Sequence, residues 1–197
     1  MNSVNTSIST ELHGLGTASA WVQRWSHLVV SQGSVLDLAC GGGRHMKWFA
    51  ERGHAVTGVD RSPDAVQAAA AYGEAVLADI ENAPWPLTTG MQTRTFDAIV
   101  VTNYLWRPLF PKILESLAPD GVLIYETFAI GNEALGKPSR PDFLLQPAEL
   151  LSAFGTLRVV AFEEGFLDSP PRFIQRIAAM KPGLPVVTNP TSRRYLL

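Results

Sequence analysis

Residues 34 to 62, SVLDLACGGGRHMKWFAERGHAVTGVDRS, constrain the fold more than any other part of the chain. A short apolar run, Val35-Leu36-Asp37-Leu38, leads into a glycine-rich turn, Ala39-Cys40-Gly41-Gly42-Gly43. An amphipathic segment then connects to a second apolar run, Ala55-Val56-Thr57-Gly58-Val59, which ends in Asp60. This order predicts strand, tight turn, helix, strand and acid. A glycine turn at the carboxyl end of a strand lets a ligand approach the backbone closely. The helix that follows offers free N–H groups to an anion. An acid at the end of the second strand is placed to accept from ribose hydroxyls. The stretch is thus suited to a ligand with a ribose and a negatively charged end.

A dinucleotide site calls for G-x-G-x-x-G after the strand. Here the pattern is Ala39-x-Gly41-x-Gly43, with Arg44 where the last glycine belongs. Asp37 lies just before the turn, where a buried carboxylate would repel a pyrophosphate and suit an ammonium group. A carboxylate before the turn, N–H groups after it and a ribose acceptor further on fit the amino-acid end and ribose of S-adenosylmethionine. VLDLACGGGRH resembles the glycine motif of class I S-adenosylmethionine-dependent methyltransferases, with Ala39 where glycine is usual. LAPDGVLIYETF, residues 117–128, resembles the helix end, turn and fifth strand of the same family. Among its members, the small single-domain type that includes tellurite-resistance methyltransferases is similar in size.

The resemblance implies an α/β fold: a doubly wound, mostly parallel seven-stranded sheet in the order 3-2-1-4-5-7-6, its last strand antiparallel, with helices on both faces. The last two strands are expected over 156–163 and 172–180. With no helix between them, they must pair antiparallel. A single domain is expected over 17–181, with a flexible lead-in at 1–16 and a C-terminal tail at 182–197. A helix from Thr17 through SAWVQRWSHLVV should place Trp21, Trp25, Leu28 and Val29 on one face. It is expected either to pack on the sheet or to serve as a lid.

Cofactor-binding residues follow from the pattern: Asp37, Ala39, Cys40, Gly41, Gly43 and Arg44 around the turn, then Asp60, Arg61 and Ser62 after the second strand. Ser62-Pro63 is a helix start, with Ser62 the N-cap. Glu74 to Ala78 reads as a short strand ending in Asp79. The resemblance implies that Asp79 accepts from the adenine amino group and that Ile80 packs on the ring. Phe96 to Val101 is a near-continuous apolar strand of the buried parallel kind. Asn103 and Tyr104 follow it and should face the reaction site. Asn103 also belongs with the cofactor contacts, and both residues are the expected catalytic pair. Adenine and glutamine amino-methyltransferases carry prolines at this point, whereas this chain has Asn103-Tyr104-Leu105-Trp106. Tyr104, Arg107, Lys137 and Arg140 are the expected substrate-binding residues, the last two within a long connection over 128–147 that is expected to cover the substrate. His45, one turn into its helix, is expected either to be structural or to reach the cofactor carboxylate.

Charge and composition narrow the partners. The formal net charge of −2 over 197 residues gives no electrostatic footprint for nucleic acid. A single cysteine excludes an internal disulfide and a cysteine-built zinc site, and the four histidines show no ligand-like pairing with acids. No metal is expected. The N-terminal residues lack the basic-then-apolar signature of a signal peptide, which predicts a cytoplasmic protein. No run reaches membrane-spanning length. The expected function is methyl transfer to a small molecule. Two other readings fit parts of the chain. One is an NAD(P)-dependent oxidoreductase. The other is a cofactor-binding partner subunit of an RNA or protein methyltransferase, docking through Trp85, Trp106 and Phe143-Leu144-Leu145.

Overall fold

The computed structural model describes residues 16–183. The lead-in expected at 1–16 and the tail expected at 182–197 lie almost wholly outside the described residues. Seven strands form one sheet: β1 (Ser34–Leu38), β2 (Ala55–Asp60), β3 (Glu74–Leu77), β4 (Phe96–Thr102), β5 (Leu117–Phe128), β6 (Arg158–Asp168) and β7 (Pro171–Met180). Their spatial order is β3-β2-β1-β4-β5-β7-β6. β1 pairs in parallel with β2 and β4, and β4 with β5, whereas β7 runs antiparallel to both β5 and β6. This is the expected order, with the expected antiparallel last strand.

The period-two alternation of the strands divides the core between the two sheet faces. Leu36, Leu38, Ile99, Val101, Leu123 and Tyr125 face one layer, closed by helices α4 (Phe110–Ser116) and α5 (Glu149–Ala153). Val35, Ala98, Val100, Val122, Ile124 and Ala178 face the other, closed by α1 (Ala20–Trp25), α2 (Arg44–Ala50) and α3 (Pro63–Ala69). Both faces are thus covered, so the central strands are apolar on both sides.

α1 is shorter than the sequence predicts and passes into a 3-10 turn at Ser26–Leu28. Ser19 caps it, accepting from the Trp21 and Val22 N–H groups. Trp21 and Trp25 are both 1 % exposed. Burial of a side chain this size stabilises by about 4 kcal/mol. The Trp21 indole N–H donates to the Ile177 carbonyl at 3.3 Å. The helix is therefore packed on the sheet, and none of its residues lines the cavities described below. That corrects the lid expectation.

Other boundaries also differ from expectation. β5 starts at Leu117, because Leu117 pairs with Phe96 ahead of the bend at Asp120, φ 64°. The final hairpin is longer than its apolar pattern, with β6 continuing through Gly165 to Asp168. A small two-stranded hairpin, Thr88–Thr89 with Gln92–Thr93, occupies the loop after β3 and is closed by Gly90 at φ 61°. Among the described residues no helix is long and apolar enough to cross a membrane.

Candidate active site

The carboxyl ends of β1, β2, β3 and β4 open onto two adjoining cavities, of about 340 and about 760 Å³. The two share Ala39, Asp60, Asn103, Tyr104, Phe128, Pro138 and Phe143 in their walls, so they are two chambers of one groove. The smaller one is completed by Arg61, Asp79, Ile80 and Glu81, and the larger by Cys40, Gly41, Arg44, His45, Lys137 and Arg140. This is the topological position at which parallel α/β sheets bind ligands.

The turn after β1 is built from left-handed residues. Ala39, Gly41 and Gly43 have φ of 53°, 54° and 84°. Ala39 thus adopts a conformation that costs an L-residue about 1–2 kcal/mol and that glycine takes freely. Such strain concentrates at functional sites. Gly43 does not line the groove. It forms the N-cap of α2, where a Cβ would lie 3.0 Å from the Ala69 Cα, so its role is close packing of α2 on α3.

Asp60 binds two backbone N–H groups, Gly41 at 2.8 Å through Oδ2 and Ser62 at 2.9 Å through Oδ1. One carboxylate thereby locks the glycine turn to the start of α3, while each oxygen keeps a second lone pair for the groove. Ser62 caps α3 through the Ala65 N–H and does not line either chamber. Asp79 accepts from the Glu81 N–H and from the backbone and side chain of Asn82. Those bonds, the Asn82 side chain foremost, hold its carboxyl below the usual range.

Asp37 is 1 % exposed and does not line the groove. Its Oδ2 is buried without a hydrogen-bond partner and lies 3.7 Å from His45 Nδ1. His45 Nε2 accepts from the Ser19 N–H at 3.3 Å, which leaves the proton on Nδ1, toward Asp37. The two residues form a buried Asp–His pair and not a metal-ligand set. In sequence the pair is separated by the whole glycine turn, so no spacing rule signals it. Burial pushes the Cys40 thiol well above its ordinary range, so it stays protonated. Among the described residues no cluster suited to a metal ion is present.

Asn103 follows β4 with φ 54°, its N–H bonded to the Glu126 carbonyl at 2.9 Å. Tyr104 donates its hydroxyl to Glu81 Oε1 at 3.2 Å, and the Tyr125 hydroxyl donates to the Tyr104 carbonyl at 2.9 Å. Burial, then the Glu81 charge, pushes the Tyr104 phenol far above its ordinary range. It is thus a proton donor at neutral pH, not a base. Arg44 is half-buried and makes one long hydrogen bond, to Thr102 Oγ1 at 3.4 Å. Burial lowers its pKa, against the pull of the Asp37 and Glu126 charges.

The sequence reading missed Glu126. It is 2 % exposed at the end of β5 and binds Ser19 Oγ at 2.9 Å and Arg176 at 3.1 Å. Arg107 does not reach the groove. Its guanidinium is engaged by Glu149 and two carbonyls, because the connection after β5 folds back over it. Lys137 and Arg140 do line the larger chamber, Arg140 with its guanidinium paired to Asp142 at 2.9 Å. Of the residues expected at a partner interface, Phe143 is 37 % exposed. Leu144 and Leu145 are buried at 2 % and 0 %, and Trp85 and Trp106 pack against the core.

Residues 35–121 match a family model described as a methyltransferase domain. The match runs from β1 through β4 into the start of β5, less than half of the chain. Solved methyltransferases share its fold. TehB from Haemophilus influenzae superposes with a TM-score of 0.65 at 19 % identity, over 82 % of this chain and 61 % of TehB. The N-methyltransferase NodS from Bradyrhizobium japonicum gives 0.61 at 18 % identity, over 81 % and 93 % of the two chains. A TehB-like S-adenosylmethionine-dependent methyltransferase from Corynebacterium glutamicum gives 0.60 at 18 %, over 82 % and 86 %. At these identities the likeness is one of fold. No curated protein sequence matches the chain.

Proposed function

We propose that this chain is a class I S-adenosylmethionine-dependent methyltransferase that transfers a methyl group to a small-molecule acceptor carrying an anionic group. The observation that carries this reading is the groove itself. Its two chambers share one wall, and the chain's own connection 129–148 bounds both through Pro138 and Phe143. A chamber of about 760 Å³ walled by the same chain suits a compact molecule. NodS and coclaurine N-methyltransferase, the latter solved with N-methylheliamine and S-adenosylhomocysteine, share the fold.

The residues fit the cofactor. The left-handed Ala39–Gly41 turn brings the main chain to the chamber wall, its Cys40 and Gly41 N–H groups held by the Val59 carbonyl and Asp60, and Asp60 retains acceptor capacity at the wall common to both chambers. Asp79 and Ile80 line the smaller chamber, beside Arg61. In this reading Asp60 takes the ribose, Asp79 and Ile80 take the adenine, and Cys40, Gly41 and Arg44 face the amino-acid end. The buried Asp37 charge acts on that end through His45. When bound, S-adenosylmethionine supplies an activated methyl group, so the protein needs positioning more than a nucleophile.

Asn103, held at positive φ, and Tyr104, kept protonated, orient the acceptor by hydrogen bonding. Tyr104 also presents its ring face to positive charge. Arg44, Lys137 and Arg140 supply cations to the larger chamber, which Asp79 does not line, and there the acceptor's anionic group would sit. The cytoplasmic placement read from the N-terminal composition is part of the same proposal.

The test is a two-stage measurement. Calorimetry with S-adenosylhomocysteine and, separately, NADH establishes the cofactor. Transfer of label from methyl-labelled S-adenosylmethionine is then followed with panels of carboxylates, oxyanions, thiols and amines. Binding of the homocysteine alone, with label on a member of the anionic panels, is the expected result. Label only on neutral or cationic acceptors would overturn the anionic assignment, and NADH binding alone would overturn the cofactor.

A further inference from the structure

Arg107 stands three residues beyond Tyr104, outside the lining of either chamber, and its guanidinium reaches the 129–148 connection that roofs the groove through Phe143. Nε and Nη2 bind the two Glu149 oxygens at 2.6 and 2.8 Å. Nη1 donates to the Asp142 carbonyl at 2.8 Å and Nη2 to the Leu144 carbonyl at 2.9 Å. Those two carbonyls flank Phe143, whose side chain lines both chambers. Glu149 Oε2 also accepts from the Gln146 N–H at 2.8 Å. One ion pair therefore gathers the segment after β4, both sides of Phe143 and the start of α5.

We propose that Arg107 is a positioning residue that fixes Phe143 as the aromatic roof over the bound cofactor and acceptor, with Glu149 as its counter-group. The planar guanidinium is suited to this, since its donors lie in one fixed fork and a lysine offers no equivalent. Phe143 is otherwise a 37 % exposed aromatic in a single 3-10 turn, with the Arg140 guanidinium 5.1 Å from its ring centroid. The main-chain bonds to its neighbours supply the constraint. The floor residue Tyr104 is fixed in turn by the Tyr125 hydroxyl on its carbonyl. Floor and roof are thus tied through one side chain, and the height of the groove is set by Arg107. Restricting the roof in this way acts mainly on release of what lies beneath it.

The inference rests on the cofactor reading above, and two measurements separate their failures. The first is the dissociation rate of S-adenosylhomocysteine from the wild-type protein and from Arg107→Lys, Glu149→Gln, Phe143→Ala and the Arg107→Lys/Phe143→Ala double variant. Both latch variants should release it about tenfold faster, with association within about threefold of wild type. In the Phe143→Ala background, Arg107→Lys should add less than about twofold, because its effect runs through that ring. The second is amide hydrogen exchange over residues 137–144 in the ligand-free protein, which should quicken about tenfold in both latch variants while the β1 and β4 amides keep their protection. Unchanged release in the single variants, or fully multiplicative effects in the double variant, would overturn the proposal. Unchanged exchange over 137–144 would overturn it whether or not the homocysteine binds. A wild-type protein that fails to bind the homocysteine overturns the cofactor reading and with it the roof's role over a ligand.

Discussion

Replacing Asp60 with asparagine separates the two duties that the structure gives this carboxylate. Its oxygens hold the Gly41 and Ser62 N–H groups at 2.8 and 2.9 Å. Asparagine keeps the size but offers one acceptor oxygen, so one N–H loses its partner and faces an amide donor. A hydrogen bond to a charged group contributes about 1.5–3 kcal/mol, and the surviving bond weakens with loss of charge. The ligand-free protein should lose about 2–3 kcal/mol of stability. At about 2–4 °C per kcal/mol for a chain this size, the melting temperature falls by roughly 4–12 °C. The proposed ribose contact loses a similar charge-assisted bond, so the Kd for S-adenosylhomocysteine should rise about 10- to 150-fold. Differential scanning fluorimetry without ligand reads the first effect. Calorimetry well below the variant's melting temperature reads the second. A lowered melting temperature with a Kd within about threefold of wild type would refute the ribose assignment and leave Asp60 as scaffold alone. An unchanged melting temperature would refute the structural half of the reasoning.

Four further outcomes follow from the geometry. Ala39→Gly should leave stability unchanged or raise it by up to about 1 kcal/mol, because release of the strain at φ 53° outweighs or balances the entropy of the unfolded glycine; a clear loss in thermal denaturation would mean that the alanine methyl makes packing contacts worth more than the strain. Gly73→Ala should cost about 1–3 kcal/mol, since its Cβ would meet the Val56 carbonyl oxygen at 2.2 Å, and a denaturant midpoint equal to wild type would contradict this. Glu149→Gln should destabilise at pH 7 by an amount that shrinks in acid: burial raises the Glu149 carboxyl, but the Arg107 hydrogen bonds outweigh it and leave it below its ordinary 4.5. A depressed folded-state value gives stability that is present above about 4.5 and lost as the pH falls through the folded value, so a wild-type-to-variant gap in melting temperature that stays constant from pH 7 to pH 3 would sink this account. Tyr104→Phe should leave S-adenosylhomocysteine affinity within about threefold while lowering turnover once an acceptor is in hand, and equal loss of both would place Tyr104 in the cofactor wall.

The parts of this molecule that the sequence discloses are those built from neighbours in the chain. The β1–turn–α2–β2 unit is legible because its apolar periodicity, its glycines and Asp60 fall within one stretch, and a parallel pair joined by a helix has few ways to fold. The same locality made Ser62 and Asn103 readable as a helix start and a strand end. What stayed hidden lies between distant segments. Arg107 and Glu149 are 42 residues apart, and Glu126 and Arg176 are 50 apart; no spacing rule joins them. Arg107 shows the cost of this. As an isolated cation beside a strand end it reads as a ligand for a substrate anion, and only the path of the connection after β5 shows that its donors are taken. Asp37 shows the converse. Its place before the turn reads as a direct contact, yet His45 meets the groove instead, because α2 carries that ring back across the strand end. In the proposed reading the cofactor residues are mostly local and readable, whereas the long connection that walls both chambers is not. On that proposal the choice of acceptor rests on Phe143, Lys137 and Arg140, and substitutions there should change which molecule is methylated before those at Asp60 or the glycine turn do.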